Sequence, residues 1–193
     1  MCNCCCVLKC PILAPIYVFA LTILGIYVSL STSPSFIIHD VKLYAFNVST
    51  TTATLTSTLQ ITISCENKQG DHGIHFDKID VYTAYKKQQI TPPIALPPRY
   101  LGSSDVALWS PYLNGTEVPL SPYLASSLAQ DMTAGVVQIN VMVTGRMRLK
   151  QGFISHRHRL KVDCLTYITF GNKNNSSNVV GSAVKHPFEN WCR

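Results

Sequence analysis

Catalytic motifs are missing from this sequence of 193 residues. There is no nucleophile elbow, no glycine-rich phosphate loop and no metalloprotease helix. His156 and His158 alternate as they would on a strand, but two histidines without a third ligand make a weak metal site. We therefore predict a protein that is not an enzyme and that holds no cofactor and no metal.

Charge is missing from residues 11–38, which contain no Asp, Glu, Lys, Arg or His. Eleven of the residues from Ile12 to Leu30 are Leu, Ile, Phe or Val. About twenty apolar helical residues cross the roughly 30 Å hydrocarbon core of a bilayer. Pro11 and Pro15 fall in the first turn, where a missing N–H costs least. This pattern predicts a single transmembrane helix over 11–31.

A cleaved secretory signal is the alternative interpretation of this segment. Lys9 would be its basic region, and residues 29–33 are small enough for a cleavage site. The apolar core of a signal is about 7–15 residues long, and this one is nearer twenty, so its length favours a retained anchor. A second anchor is not expected, because residues 184–193 are polar and lack the apolar stretch of a lipid-anchor signal.

Five cysteines precede the apolar segment: Cys2, Cys4, Cys5, Cys6 and Cys10. Juxtamembrane cysteines are substrates for palmitoylation, and acyl chains would strengthen anchoring on their side of the membrane. A zinc site is the other interpretation, but the spacing matches no paired Cys-x-x-Cys ligand set.

The orientation follows from what stands on each side of the segment. Clustered free thiols belong in a reducing compartment. All the N-glycosylation acceptors come after the apolar segment. They are Asn47, Asn114, Asn174 and Asn175. We predict a type II protein with a cytoplasmic stub over 1–10 and an outer domain over 32–193.

The outer domain has the pattern of a β protein. From Thr54 to Cys65 one parity is mostly apolar and the other is Thr, Gln and Ser, as in strands with one wet face. The alternation recurs in 137–143 and 160–164, with shorter β-like runs over 36–46 and 79–85.

Non-strand segments divide this pattern. Thr91–Pro98 contains four prolines and is expected to connect halves of the sheet system rather than form a central strand. Pro122–Thr133 predicts one helix, capped by Ser121 and stopped at Gly135. Gly171–Gly181 predicts a solvated loop. The order of elements favours an antiparallel β-sandwich with one short helix.

The outer cysteines are Cys65, Cys164 and Cys192, an odd number. In an oxidising compartment at least one of them lacks an internal partner. By strand parity Cys65 and Cys164 both point to the core, so a bridge between them is one option. A bridge from Cys164 to Cys192, which would pin the chain end, is the other.

Six segments in this order resemble those of plant harpin-induced-like (non-race-specific disease resistance) membrane proteins, which carry a late embryogenesis abundant group 2 domain. The segments read Cys65-Glu66-Asn67, Gly73-Ile74-His75-Phe76-Asp77, Leu96-Pro97-Pro98-Arg99-Tyr100-Leu101-Gly102, Asp131-Met132-Thr133-Ala134-Gly135, Gly145-Arg146-Met147-Arg148-Leu149-Lys150 and Val162-Asp163-Cys164. Cys65 and Glu66 replace the usual Asn and Pro, and Leu101 replaces the usual Gln.

The resemblance implies a fibronectin type III-like sandwich outside a plasma membrane, with a role in pathogen or stress responses and no enzymatic activity. It also implies the Cys164–Cys192 pairing, which would leave Cys65 as a buried free thiol. Its expected partners are signalling proteins or cell-wall material. Two alternatives are a secreted or soluble stress-protection domain that acts by surface hydration, and a lipid-handling module.

Basic residues are concentrated where acidic ones are missing, since no Asp or Glu occurs between Asp131 and Asp163. They are Arg146, Arg148, Lys150, Arg157, Arg159 and Lys161. With a turn at 151–153, the three basic residues before the turn and the three after it can lie on the same side of an antiparallel strand pair. Such a face favours an anionic partner such as acidic cell-wall polysaccharide, and the interleaved histidines would add charge in acid. The other interpretation is a solvated face that prevents edge aggregation. Nucleic acid is not expected, because no aromatic residues are interleaved for stacking.

Overall fold

The structure is a computed structural model that describes residues 13–30, 34–68, 73–151, 154–170, 181–184 and 192. The chain divides into two compact units, one up to Pro34 and the other from Ser35 onward. The first contains helix α1, Leu13–Leu30, which is 18 residues long and carries no charge. Within the described ranges, no helix is both long enough and apolar enough to cross a membrane. The transmembrane helix predicted over 11–31 is therefore not confirmed.

The second unit is mainly β. Its described strands are β1 Ser35–Ser49, β2 Thr54–Glu66, β3 Gly73–Tyr85, β4 Gln88–Gln89, β5 Ile94–Leu96, β6 Arg99–Leu101, β7 Val106–Trp109, β8 Tyr112–Pro119, β9 Val136–Gln151, β10 Ile154–Phe170 and β11 Gly181–Val184. Helix α2, Pro122–Thr133, lies between β8 and β9. The prediction of a mainly-β domain with one short helix is confirmed.

The period of two in the sequence fixes which side of each strand is buried. On β2, Leu55, Leu59 and Ile61 have no exposed surface, while the alternating threonines stay partly exposed. On β9, Val137 and Ile139 are fully buried in the same hydrophobic core. A one-residue slip of either strand would turn its apolar set to solvent, so the pattern specifies the register.

All the strand pairs are antiparallel, and the main hydrogen-bonded order is β4-β3-β9-β10-β11-β1-β2-β7. β5 and β6 pair with β3, and β8 pairs with β2. Although β1 and β3 are far apart in this order, the rings of Phe36 on β1 and Phe76 on β3 lie 6.3 Å apart. The centres of the Phe76 ring and the Trp109 ring on β7 are 6.0 Å apart. The sheet therefore folds over one core like a sandwich.

A β-sandwich usually consists of two separate sheets, but here the two halves belong to one hydrogen-bonded sheet. β11 is hydrogen-bonded to β10 on one side and to β1 on the other, so one continuous ladder joins the half built on β3, β9 and β10 to the half built on β1, β2 and β8. β11 is only four residues long and carries no strong apolar pattern in the sequence. It was not predicted for that reason.

Helix α2 begins and ends where the sequence predicts. Ser121 Oγ accepts a hydrogen bond from the Leu124 N–H at 3.3 Å, and Pro122 occupies the first turn. Leu128 is fully buried against the sheet, and Gly135 has a φ of +85°, which suits a left-handed stop.

The prediction that the proline-rich segment connects the two halves is wrong, because the strands before and after it, β4 and β6, both pair with β3. The segment is not a central strand, as expected, and its middle forms β5, which also pairs with β3 at the edge of the sheet. The chain reaches the other half only after β6, at β7. Three residues between proline pairs can form such an edge strand because their free side needs no donors. The predicted loop over 171–181 lies outside the described residues apart from Gly181, the first residue of β11.

Candidate functional site

The six predicted basic residues all lie on the outer face of the β9–β10 pair. Arg157 is directly opposite Arg148, and Arg159 is directly opposite Arg146. Lys150 is opposite a serine and Lys161 is opposite a threonine. We call these six side chains the basic face.

The basic face has little internal neutralisation. Its one ion pair with a carboxylate among the described residues joins Arg148 to Asp77 on β3. Arg146, Lys150, Arg157, Arg159 and Lys161 are exposed. Like charges directly opposite each other on a sheet repel, so this arrangement lowers stability unless solvent or an anion compensates it.

A β-bulge brings Asp77 to Arg148. The register between β3 and β9 shifts between Phe76 and Lys78, leaving Asp77 without a direct partner on the ladder. Asp77 Oδ1 accepts hydrogen bonds from Arg148 Nε, at 2.9 Å, and from Arg148 Nη2. The Nδ1 atom of His75 lies 3.0 Å from the same oxygen. The hydrogen bonds from Arg148 hold the pKa of Asp77 below its ordinary value, although partial desolvation opposes them.

Gly145 gives the bulge its space. A Cβ atom at this position would overlap the carbonyl oxygen of Lys78 and would lie 3.0 Å from the Cα of Ile79. The glycine one residue before Arg146 therefore has a packing reason, because it allows the bulged strand to approach β9 closely.

The interleaved histidines are not part of the basic face. His156 pairs with Leu149 and His158 with Met147, so both lie on the opposite face of the hairpin, where they are exposed. The expectation that they would add charge to the basic face in acid is wrong, because neighbours in a strand point to opposite sides. Among the described residues there is no group of three potential metal ligands.

The structure joins Cys164 to Cys192 in a disulfide with an S–S distance of 1.99 Å. Cys65 is a free and fully buried thiol on β2. Burial raises its pKa to about 12. The cysteines predicted to be acylated, Cys2, Cys4, Cys5, Cys6 and Cys10, lie outside the described residues.

Two of the predicted glycosylation acceptors lie on the half of the sheet away from the basic face. Asn47 on β1 is opposite Thr56, and Asn114 on β8 is opposite Thr58. Both asparagines are exposed on the outer face of β1, β2 and β8. Asn174 and Asn175 lie outside the described residues.

Two features of the surface were not predicted. Asp77 meets Arg148 through a bulge, which no sequence period indicates. On the other half, the rings of Tyr44 and Tyr112 lie 6.0 Å apart, on strands that flank β2. The alternation of Tyr112 and Asn114 on one strand was a usable signal that these two share a face.

The fold and the site define a mainly-β, sandwich-like domain with an exposed cationic face, preceded by an apolar helix. No protein-family model matches the chain. It is 44% identical over 180 residues to NDR1/HIN1-like protein 1 of Arabidopsis thaliana, covering 92% of this chain and 86% of that protein. It is 36% identical over 179 residues to NDR1/HIN1-like protein 12 of the same plant, covering 92% and 85%.

These similarities show that the chain belongs to the NDR1/HIN1-like proteins, as its sequence motifs suggested. NDR1/HIN1-like protein 26 of Arabidopsis thaliana is 33% identical over 140 residues, covering 72% of this chain and 66% of that protein. None of these names denotes an enzyme. A crystal structure of a protein from Archaeoglobus fulgidus matches 70% of this chain and 98% of its own with 9% identity and a TM-score of 0.36, too low to bear on the fold.

Proposed function

We propose that this chain is a non-enzymatic, membrane-attached protein whose outer domain binds acidic cell-wall polysaccharide through the basic face during plant defence or stress responses. The observation that carries the proposal is the direct opposition of Arg148 to Arg157 and of Arg146 to Arg159 on one exposed sheet face. Such repulsion has a cost in stability, which an anionic ligand removes on binding.

The geometry of the face suits an extended polymer that carries carboxylates at intervals. Opposed residues on the two strands are about 5 Å apart, and successive outward residues on one strand are about 7 Å apart. Four of the six side chains are arginines, whose planar guanidinium matches a carboxylate in a bidentate fork. The face therefore presents two parallel rows of carboxylate-binding groups.

Binding to a polyuronide tests this proposal. The probe is an oligogalacturonide of about ten sugars, and the protein is the full chain in detergent. Arg157→Gln with Arg159→Gln removes two charges from the face, and Lys42→Gln with Lys68→Gln removes two charges from the other half. We expect the first pair to weaken binding at least about tenfold and the second to change it far less, because charges beyond a Debye length of about 10 Å are screened. Equal losses, or equal binding to neutral dextran, would contradict the proposal.

Membrane attachment is proposed for the N-terminal segment, with the outer domain on the extracellular side of the plasma membrane as a type II protein. Helix α1 supports it, since its side chains at Ile16, Phe19 and Ile23 are more than half exposed and apolar. Acylation of the preceding cysteines would add to the attachment. Partner proteins at this surface are part of the same proposal.

Fractionation tests the attachment. A C-terminally tagged chain is extracted with alkaline carbonate, and intact vesicles are treated with protease. We expect the tag to stay with the membrane fraction and to be protected in vesicles. Release into the soluble fraction with about thirty residues missing would contradict the anchor and favour a secreted stress-protection domain, since it would indicate a cleaved signal.

A further inference from the structure

Tyr112 presents an aromatic ring to solvent on the half of the sheet away from the basic face. It lies on β8 directly opposite Gln60 of β2, and 52% of its surface is exposed. Tyr44 on β1 donates a hydrogen bond from its hydroxyl to Gln60 Oε1 at 2.9 Å. The two rings are 6.0 Å apart and tilted by 38°. Tyr112 is thus supported from one side by Tyr44 and open on the other.

Asn114 follows two residues later on the same strand and the same exposed face. Residues i and i+2 of a strand are about 7 Å apart, which is within reach of a sugar attached to the asparagine side chain. The acceptor sequence is Asn114-Gly115-Thr116. Its middle residue, Gly115, points inward, where a Cβ would lie 2.7 Å from the Ile90 carbonyl oxygen. Packing therefore fixes the inner side of this acceptor sequence, while Asn114 and Thr116 remain exposed.

We propose that the Tyr112 ring, supported by Tyr44, is the stacking platform for the first N-acetylglucosamine of a glycan on Asn114. One face of a pyranose ring consists of C–H groups with partial positive charge, and the face of an aromatic ring is negative, so the two stack favourably. The sugar is tethered next to the ring, so it loses little translational freedom on stacking. The proposal rests on the extracellular placement of the domain given above.

The stacking would also protect an edge of the fold. β8 pairs with β2, and no strand in the described residues pairs with its other side. An edge strand with an exposed aromatic ring is prone to pair with other chains. A sugar over Tyr112 would cover the ring and make the strand unavailable for such pairing.

Asn47 is the matched control within the chain. It is exposed on the same outer face, but the residue two positions before it is Ala45, which offers no ring. A glycan on Asn47 therefore has the same chemistry on the same outer face of the sheet, without the platform. Its removal should leave the stability nearly unchanged.

The experiment uses the full chain produced with uniform high-mannose glycans and purified in detergent. Endoglycosidase H leaves one N-acetylglucosamine on each asparagine, whereas peptide N-glycosidase F removes all the sugar. We expect the Tm of the domain to stay unchanged after endoglycosidase H and to fall by about 2–4 °C after peptide N-glycosidase F. This decrease corresponds to the loss of one aromatic stacking contact in a domain of this size. Mass spectrometry of the Asn114 and Asn47 peptides identifies which acceptors carry sugar.

Variants then separate stacking from other effects of the glycan. Asn114→Gln should lower the Tm in the parent chain and in Tyr112→Phe, which keeps the ring, but not in Tyr112→Thr. If Tyr112→Thr does not fold, oxidative footprinting of Tyr112 in the parent chain replaces it, with stronger labelling expected after complete deglycosylation than after endoglycosidase H. If Asn114→Gln lowers the Tm equally in all three backgrounds, or if the labelling of Tyr112 is the same after both enzymes, the proposal that Tyr112 is a stacking platform is wrong. Absence of sugar at Asn114 alone would also overturn it, and absence at both asparagines would contradict the extracellular placement as well.

Discussion

Arg148 and Arg157 lie directly opposite each other on β9 and β10. Of these two arginines, only Arg148 forms an ion pair with a carboxylate within the described part of the chain. Asp77 therefore fixes the guanidinium of one member of the pair and leaves the other exposed. Within the basic face, Arg148 is therefore held in one position by Asp77, whereas the five exposed side chains have no such bond to a carboxylate among the described residues.

Ionisation of Asp77 should make the stability depend on pH in acid. Its pKa in the folded protein is below the unfolded value of 3.8, so its ionisation stabilises the fold above that value and the contribution is lost as the pH falls through the folded pKa. We expect Asp77→Asn to lower the free energy of unfolding at pH 6 and the gap to the parent to shrink towards pH 2. Urea unfolding at both pH values measures this. A gap of the same size at both would contradict it.

Reversing one charge of the basic face should stabilise the domain and weaken its binding. Arg159→Glu turns the like-charged pair with Arg146 into an attractive pair, which is worth about 0.2–1 kcal/mol. Lys161→Glu is the control, because Lys161 is opposite a threonine. Urea unfolding at low salt should show a gain for the first variant that is larger than for the second and that decreases in high salt. A destabilised Arg159→Glu would mean that the opposed arginines do not repel.

Gly145→Ala should destabilise the domain by about 1–3 kcal/mol, because the new methyl group overlaps the backbone at Lys78. The same substitution at Gly102 meets only the side-chain carboxylate of Asp105, which can move, and should cost less. Chemical unfolding of both variants gives the comparison. Equal losses would show that the bulge does not depend on the close approach.

Cys65 should be unreactive in the folded protein. With a pKa of about 12, only about one thiol in ten thousand is ionised at pH 8, and the side chain is fully buried. Alkylation followed by peptide mass spectrometry should find Cys65 unmodified in native buffer and fully modified in urea. Rapid labelling of the native protein would contradict the buried position.

Loss of the disulfide should be costly. The bond spans a sequence separation of 28, and constraining a loop of this length contributes roughly 3–4 kcal/mol in the chain-entropy description. Cys192→Ser should lower the free energy of unfolding by up to that amount. A reducing agent should lower the stability of the parent chain to a similar level and leave the variant unchanged. If the reductant affects both equally, the effect comes from elsewhere.

Much of the fold could be predicted from local patterns. The alternation in β2 and β9, the cap at Ser121 and the stop at Gly135 each depend on neighbours in sequence, and the structure has them where the patterns place them. β11 could not be predicted, because its pairing with β1 and β10 depends on residues far away in the chain.

The candidate site divides in the same way. The shared face of the basic residues follows from the strand period and the turn, and was predictable. The neutralisation of Arg148 by Asp77 was not, because a bulge shifts the register by one residue and brings Asp77 to a position that a regular ladder would not give it. The same period, applied to His156 and His158, separates them from the arginines.

The bond between Cys164 and Cys192 determines how proteolytic cleavage near the end of the chain would be detected. It closes residues 165–191 into a covalent ring. A protease that cuts one peptide bond inside this ring therefore releases nothing, because both new ends remain attached through the sulfur atoms. A nicked molecule would run as intact on a gel without reductant and as two fragments with it.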